Sequence, residues 1–319
     1  HAAMKGSLFL AAGSVLHGAG SKDLERLGGL AQRMPVTGAV MLFGSVAIAA
    51  LPPLNGFVGE WLIYRGLATV GLRSEPGQSL AALGGIGILA LVGGLAALCF
   101  VRLAGIALLG EPRSEGARLA HEAPAAMTIP PLLLAALCLV AALFPGTLLS
   151  AMEPLVAGLA GAEVAMIGAT ASSLAPLVAC NAALLAALAI VGLGLSRRVR
   201  GAAGDDTWGC GYAAPGPRMQ YTARSFSQIL VERLVPRGLR SRAEAKPPAG
   251  LFPAGASWSS ESTDPLTRGV YEPFFTRWAD RFARLRWLQQ GSLHLYLVYV
   301  VATVVIGLVW AGIRGWWLR

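Results

Sequence analysis

The chain has 319 residues, of which 55% are apolar and only 13% are charged. A soluble domain carries about 25% charged residues, so this composition excludes an ordinary soluble protein and predicts membrane-spanning helices. The formal net charge is +9. Residues 197–290 hold 15 of the 26 Lys and Arg but only 8 of the 17 acids. A basic segment beside membrane spans favours a cytoplasmic loop over a nucleic-acid-binding surface.

The sequence predicts an all-α fold, a polytopic transmembrane bundle with six spans. Each complete apolar run supplies the ~20 residues that cross a bilayer. The spans cover about residues 1–19, 37–70, 80–109, 125–145, 174–196 and 291–313. The apolar run begins at His1, so we expect the chain to be the C-terminal part of a longer protein.

The second span contains two prolines, two glycines and one acid within Leu51–Trp61. Pro52 and Pro53, with Gly56 close behind, predict a helix break, because proline lacks a backbone donor and clashes with the preceding turn. Such breaks persist at membrane depth only where protein or water covers the freed backbone groups. The alternative is a re-entrant hairpin that turns back at Pro52-Pro53.

Several ionisable side chains lie in or near the spans, where burying a charge is costly. The set is His1, Lys5, His17, Glu60 and Arg102. Desolvated lysine, histidine and carboxylate can exchange protons near neutral pH, so these residues suit a proton relay. Glu60, a lone acid just past the predicted break, is the strongest functional candidate.

Other roles are open for four of the cationic residues. Lys5 could extend to the membrane interface or pair with an acid elsewhere, and His17 could be an interfacial residue. Arg102 does not release its proton, which makes it as good a candidate for a structural counter-ion as for a relay member. Arg65 is expected to be an anchor at the outer interface.

Loop charges predict the orientation of the bundle. The side that receives loops 20–36, 110–124 and 197–290, hereafter the basic side, collects 20 Lys and Arg, whereas the opposite side collects 3. The positive-inside rule makes the basic side cytoplasmic, and the short loops alone give 5 against 3. A re-entrant hairpin would break this alternation, so the charges favour a through-going broken helix.

The domain organisation predicted is a bundle at 1–196, a cytoplasmic loop at 197–290 and a final helix with a tail at 291–319. Pro-, Gly- and Ser-rich stretches predict an irregular middle of the loop. Apolar residues at helical spacing predict an amphipathic helix at 270–288, lying on the membrane surface or docked on a partner subunit. No metal, haem, iron–sulfur or flavin motif is present, so we expect no cofactor; the cysteines (Cys99, Cys138, Cys180 and Cys210) are interpreted as small core residues.

Three stretches near the start carry a family resemblance. They are His1-Ala-Ala-Met-Lys5-Gly-Ser-Leu-Phe9 with Gly13-Ser-Val-Leu-His17, Leu27-Gly-Gly-Leu30 with Met34-Pro-Val-Thr37, and Leu51–Trp61. They resemble the antiporter-like proton-conducting subunits of respiratory complex I, of multisubunit cation/proton antiporters and of membrane hydrogenases. A second signature resembles the hydrogenase-4 and formate hydrogenlyase branch: Asp206–Tyr212, Pro217–Thr222 and Leu288–Tyr296.

The resemblance implies a hydrophilic axis of Lys, His and Glu on helices broken at proline. On that pattern His1 and Lys5 match the central helix, Pro52 and Pro53 match the break, and Glu60 matches the terminal proton-exchanging residue. It implies a non-redox membrane subunit in the inner membrane of a prokaryote, with membrane and peripheral subunits of a hydrogenase or complex I-like assembly as partners. A non-conducting membrane anchor, or a subunit of a cation/proton antiporter or NADH–quinone oxidoreductase, are the alternatives.

Overall fold

A computed structural model describes residues 1–160, 168, 170–199, 216–236, 240, 242–246, 257–261, 266–284 and 291–317. The chain divides into two compact units, His1–Ile229 and Leu230–Arg319. Residues 206–212 and 288–290, which carry parts of the second signature, lie outside the described residues.

The first unit is a helical bundle. Its helices are α1 (Ala2–Ala19), α2 (Leu30–Arg33), α3 (Pro35–Ile48), α4 (Asn55–Arg73), α5 (Pro76–Leu108), α6 (Glu115–Arg118), α7 (Ala125–Leu143), α8 (Pro145–Ala151), α9 (Glu153–Ala160), α10 (Ala175–Val199) and α11 (Ala223–Leu234), the last of which continues into the second unit. A 3₁₀ turn spans Pro217–Met219.

Four helical segments of the described chain are long and apolar enough to cross a membrane. They are Pro76–Leu108, Ala125–Leu143, Thr170–Arg198 and Leu293–Arg314, and α3 is a shorter apolar helix. The helices α1 and α4, which carry the ionisable candidates, are not among these four. The prediction of an all-α polytopic bundle with one proline-broken helix is confirmed, and the chain is a multi-pass membrane protein.

The core of the bundle forms where α1 packs against both α3 and α7. Small residues set this close approach, as is usual where membrane helices meet. A Cβ atom on Gly6 would lie 2.9 Å from Leu134 of α7, and one on Gly44 of α3 would lie 2.9 Å from Leu8 of α1. The sequence therefore allows α1 to sit between two neighbours with its backbone close to each.

Three loop segments meet at one end of the bundle. Arg113 donates from Nη1 to the carbonyls of Leu27 (2.7 Å) and Ile106 (2.9 Å), and from Nη2 to that of Tyr221 (2.8 Å). Burial lowers the pKa of Arg113, an effect that the charge of Glu25 opposes. The arginine thus joins loops 20–36 and 110–124 to the segment that follows residue 216, all of which were predicted to share the basic side.

A side-chain amide strengthens this junction. Gln220 accepts from the Glu111 N–H (3.0 Å) and donates to the Glu111 carbonyl (2.8 Å). Gly110, beside it, has φ +74°, and a Cβ there would lie 2.3 Å from the Gln220 oxygen. Part of the second signature, Pro217–Thr222, therefore holds a loop to the bundle.

The second unit contains two short strands and two helices within its described residues. Strands β1 (Arg242–Lys246) and β2 (Ser257–Glu261) pair antiparallel, with Arg242 opposite Glu261. The expectation of an irregular chain is therefore wrong for these ten residues. A π-helical turn at Thr267–Tyr271 leads into α12 (Glu272–Ala283), and α13 spans Leu293–Trp317.

Helix α12 lies within the predicted amphipathic segment, and residues 285–288 of that segment are outside the described residues. Its aromatic rings follow one another along one face in tilted contact, with 6.1 Å between the Phe274 and Trp278 centroids and 5.8 Å between those of Trp278 and Phe282. Arg281 lies over the Trp278 ring at 5.3 Å. All of these rings are exposed, which leaves an aromatic face beside a basic one.

Candidate functional site

The second predicted span is interrupted between α3 and α4. Residues 49–54 leave the helical path, Ala50 has φ +53°, and the Pro52-Pro53 bond is cis. The freed backbone groups find local partners, since the Leu51 N–H donates to the Val46 carbonyl at 3.1 Å. Helix α4 packs mainly along α5 and not back along α3, which favours the through-going path over the re-entrant hairpin.

Gly56 makes the break geometrically feasible. A Cβ atom at this position would lie 1.9 Å from the Ala47 carbonyl oxygen, a distance that no real side chain tolerates. The first turn of α4 therefore approaches the last turn of α3 so closely that only glycine fits. The break residues predicted from the sequence, Pro52, Pro53 and Gly56, thus lie at the junction between α3 and α4.

Glu60 stands one turn further along α4, half-buried in an open pocket of about 360 Å³, hereafter the Glu60 pocket. Its walls come from the break, from α4 and from α5. The lining residues are Ala49, Ala50, Leu51, Pro52, Phe57, Trp61, Tyr64, Ala90, Gly93, Gly94 and Ala97. The carboxylate is therefore placed beside the interrupted backbone, as the sequence predicts.

Two residues shape the immediate surroundings of the carboxylate. Tyr64, one helical turn after Glu60, lines the same pocket. Gly93 of α5 faces it, because a Cβ there would lie 3.1 Å from Oε1 of Glu60. The pocket thus surrounds the carboxylate with one phenol side chain and a wall of backbone without a side chain.

Further polar atoms lie near the break. Ser45 Oγ in α3 and Asn55 Oδ1 at the start of α4 are buried and have no hydrogen-bond partner among the described residues. Buried polar atoms are expensive unless they are hydrogen-bonded, so these two atoms are a polar feature beside the break of an otherwise apolar bundle.

The structure leaves the three proton-relay candidates of α1 on its surface. His1 and Lys5 are exposed and one turn apart, joined by the backbone bond from the Lys5 N–H to the His1 carbonyl (2.9 Å). His17 is exposed in the last turn of the same helix. Among the described residues no carboxylate lies within 4 Å of Lys5, so the roles of His1, Lys5 and His17 stay predictions.

His17 has a titratable neighbour that the sequence did not reveal. Its ring centroid lies 6.0 Å from that of His121. The adjacent Glu122 caps α3, accepting from the Val36 N–H at 2.7 Å and from the Thr37 hydroxyl at 2.5 Å. The consecutive His121 and Glu122 just before the fourth span could have indicated a polar site here. Their sequence spacing alone does not show that they contact α1 and α3.

Arg102 is half-buried near the end of α5. It donates to the hydroxyl of Ser227 in α11, and its Nε is buried without a partner among the described residues. No carboxylate within the described ranges lies within 4 Å of it. A hydroxyl from the basic-side segment is its observed partner, and the counter-ion role stays a prediction.

No metal-binding group of three or more His, Cys, Asp or Glu side chains occurs in the part of the chain that the structure describes. Cys99, Cys138 and Cys180 are free thiols, and Cys138 alone among them is buried, so the interpretation as a small core residue holds for Cys138 only; Cys210 lies outside the described ranges.

The contact between Gly93 and Glu60 gives a sharp test of the pocket. We expect Gly93→Ala to displace the carboxylate by a few tenths of an ångström. The proton translocation that the sequence predicts should then fall by about fivefold, or about 1 kcal/mol in barrier. Gly94→Ala is the matched control, because a Cβ there has no atom within 4 Å. Translocation by both variants in membrane vesicles is the measurement; equal effects of the two would contradict the pocket geometry.

Residues 1–74 match a protein family described as NADH:quinone oxidoreductase/Mrp antiporter, TM. The chain is 35% identical to hydrogenase-4 component B of Escherichia coli (strain K12), over 97% of this chain and 48% of that protein. It is 38% identical to formate hydrogenlyase subunit 3 of the same organism, over 74% of this chain and 38% of that protein. The chain therefore spans about half the length, or less, of these relatives.

A solved structure shows the same fold. A chain of the membrane-bound sulfane sulfur reductase (MBS), an archaeal respiratory membrane complex, superposes with a TM-score of 0.52 and 18% identity, over 97% of this chain and 46% of that chain. Together these likenesses confirm the resemblance to antiporter-like membrane subunits, with hydrogenase-4 and formate hydrogenlyase subunits among the similar proteins.

Proposed function

We propose that this chain is part of a proton-translocating membrane subunit of an energy-converting oxidoreductase complex of hydrogenase-4 or formate hydrogenlyase type, and that Glu60 is its proton-exchanging residue. One observation carries the proposal: the Glu60 carboxylate stands in a pocket that opens where the helical path is interrupted between α3 and α4. An ionisable group beside a broken helix is a common arrangement for moving ions across a membrane.

The chemistry follows from the surroundings of Glu60. A carboxyl group takes up and releases one proton, and in an apolar setting its charged form needs a hydrogen-bond donor or a cation nearby. The Tyr64 hydroxyl, which lines the same pocket, would supply such a donor on turning toward Glu60, whereas the glycine opposite leaves room for the carboxylate to change orientation. In this proposal Lys5, His1 and His17 carry protons along α1, with His121 beside His17 on the basic side.

The proposed setting is the inner membrane of a prokaryote with loop 197–290 in the cytoplasm. The positive-inside rule supports this orientation, and the junction at Arg113 supports a common side for the three basic segments. The partners would be membrane and peripheral subunits of a hydrogenase or complex I-like assembly, whose redox groups would supply the energy. This chain would contribute no redox cofactor of its own.

A non-conducting membrane anchor is the alternative of a different class. The exposed aromatic face of α12 and the basic loop favour it, because both suit attachment of a peripheral protein or a membrane surface. A subunit of a cation/proton antiporter or NADH–quinone oxidoreductase is the alternative within the same class. The interrupted helix with Glu60 in its pocket favours conduction, since an anchor does not need an acid there.

The test of the proposal is proton translocation by the full-length complex in membrane vesicles, with and without the Glu60 carboxyl group. A conducting subunit requires that group, whereas an anchor predicts unchanged translocation after its removal. Replacing external sodium by potassium in the same assay separates proton translocation from sodium/proton exchange.

A further inference from the structure

A second pocket, of about 350 Å³, lies between α4 and the start of α10, and the proposed proton path does not use it. It combines one cation, one hydroxyl and one indole with an apolar wall. The lining residues are Trp61, Arg65, Ser173, Pro176, Leu177 and Cys180. We call it the Arg65 pocket.

Arg65 has donors to spare in this pocket. Its Nη1 donates to the Ser173 hydroxyl, which itself donates to the Thr170 carbonyl at 2.7 Å. A guanidinium carries five N–H groups in a planar fork, and no carboxylate among the described residues lies within 4 Å of this one. The arginine is held in place by a serine, with most of its hydrogen-bonding capacity and its charge still available for an anion.

The depth of Arg65 in the membrane identifies the kind of anion. Helix α3 has 14 residues and begins at the basic side, where Glu122 caps it. At 1.5 Å per residue it covers about 21 Å, and the ten steps along α4 from Asn55 to Arg65 add about 15 Å. The hydrocarbon core is about 30 Å thick, so helices that follow the membrane normal place Arg65 at the headgroup layer of the opposite leaflet.

We propose that the Arg65 pocket binds a phospholipid, with the phosphate on the Arg65 guanidinium and an acyl chain along Pro176, Leu177 and Cys180. Arginine pairs with phosphate through two parallel hydrogen bonds. The single bond to Ser173 leaves Arg65 enough donors to form such a pair. Trp61 suits the same position, because indole rings are enriched where headgroups meet the hydrocarbon. The bound lipid joins α4, which carries Glu60, to α10.

The experiment is native mass spectrometry of the purified full-length complex, titrated with phosphatidylglycerol or phosphatidylcholine. We expect Arg65→Gln to weaken phospholipid binding by about tenfold and Arg65→Lys to weaken it less, because lysine keeps the charge and loses the fork. Arg73→Gln is the matched control, since Arg73 ends the same helix, is exposed and does not line the pocket. Inorganic phosphate should not displace the lipid, because it lacks the acyl chain.

Three results would overturn this assignment. Unchanged binding by Arg65→Gln would show that the arginine does not bind the lipid. An equal loss with Arg73→Gln would show that the effect comes from surface charge alone. Full displacement by inorganic phosphate would make the pocket a site for free anions. Because the readout is lipid binding, each result is independent of whether Glu60 exchanges protons.

Discussion

Replacing Glu60 by glutamine in the full-length complex should lower proton translocation by at least about tenfold while the complex still assembles. Glutamine has nearly the same shape as glutamate and keeps a side-chain oxygen that can accept a hydrogen bond, but it cannot bind and release a proton. The Glu60 pocket should therefore keep its structure and lose its chemistry. Translocation is measured in vesicles with a pH-sensitive dye, and assembly by the size of the purified complex.

Glu75→Gln is the control for this variant. Glu75 is an exposed acid at the N-terminal cap of α5, outside the Glu60 pocket. The Glu75→Gln substitution removes the same charge from a nearby part of the chain and should leave translocation unchanged. Wild-type translocation by the Glu60→Gln complex would reject the assigned role and favour the anchor.

Replacing Gly56 by alanine should have the largest effect on stability. The added Cβ would meet the Ala47 carbonyl oxygen at 1.9 Å, and because this atom belongs to the backbone, α3 and α4 must separate to accommodate it. Forcing a group into a tightly packed site costs about 1–3 kcal/mol or more. We expect a clearly lower thermal denaturation midpoint of the complex and loss of translocation, because the Glu60 pocket is built on this contact.

Gly59→Ala provides the matched comparison three residues later in α4. A Cβ at Gly59 has no atom within 4 Å, and alanine favours a helix by about 1 kcal/mol over glycine. The Gly59 variant should therefore be as stable as the wild type or slightly more so. If the two variants lowered the denaturation midpoint equally, the result would contradict the close contact between Gly56 and the Ala47 carbonyl.

Hydropathy and proline placement predicted the long apolar helices and a break at Pro52-Pro53, since both depend on local chemistry. Proline alone did not decide the break, because Pro130 and Pro131 lie inside α7 without interrupting it. What differs at Pro52-Pro53 is the setting: Gly56 follows within one turn and allows the backbone to close on Ala47.

The contacts between elements were beyond the sequence. Helix α5 is apolar on all sides, so no pattern indicated that Gly93 would face Glu60. The strands β1 and β2 were missed because Arg242–Lys246 and Ser257–Glu261 contain no β-branched residue and only one aromatic residue, Trp258, which makes the strand signal weak. The pairing of His17 with His121 depends on the packing of α1 against the chain before α7, which spacing does not specify.

We expect Glu60 to gain and lose a proton during turnover. Infrared difference spectroscopy of the working complex tests it most directly, because only a protonated carboxyl group shows the carbonyl stretch of a carboxylic acid. We predict a band of this kind that changes between the resting and the turning-over wild-type complex and is absent from the Glu60→Gln complex. A wild-type complex without such a band, or a band that persists in the Glu60→Gln variant, would contradict the account.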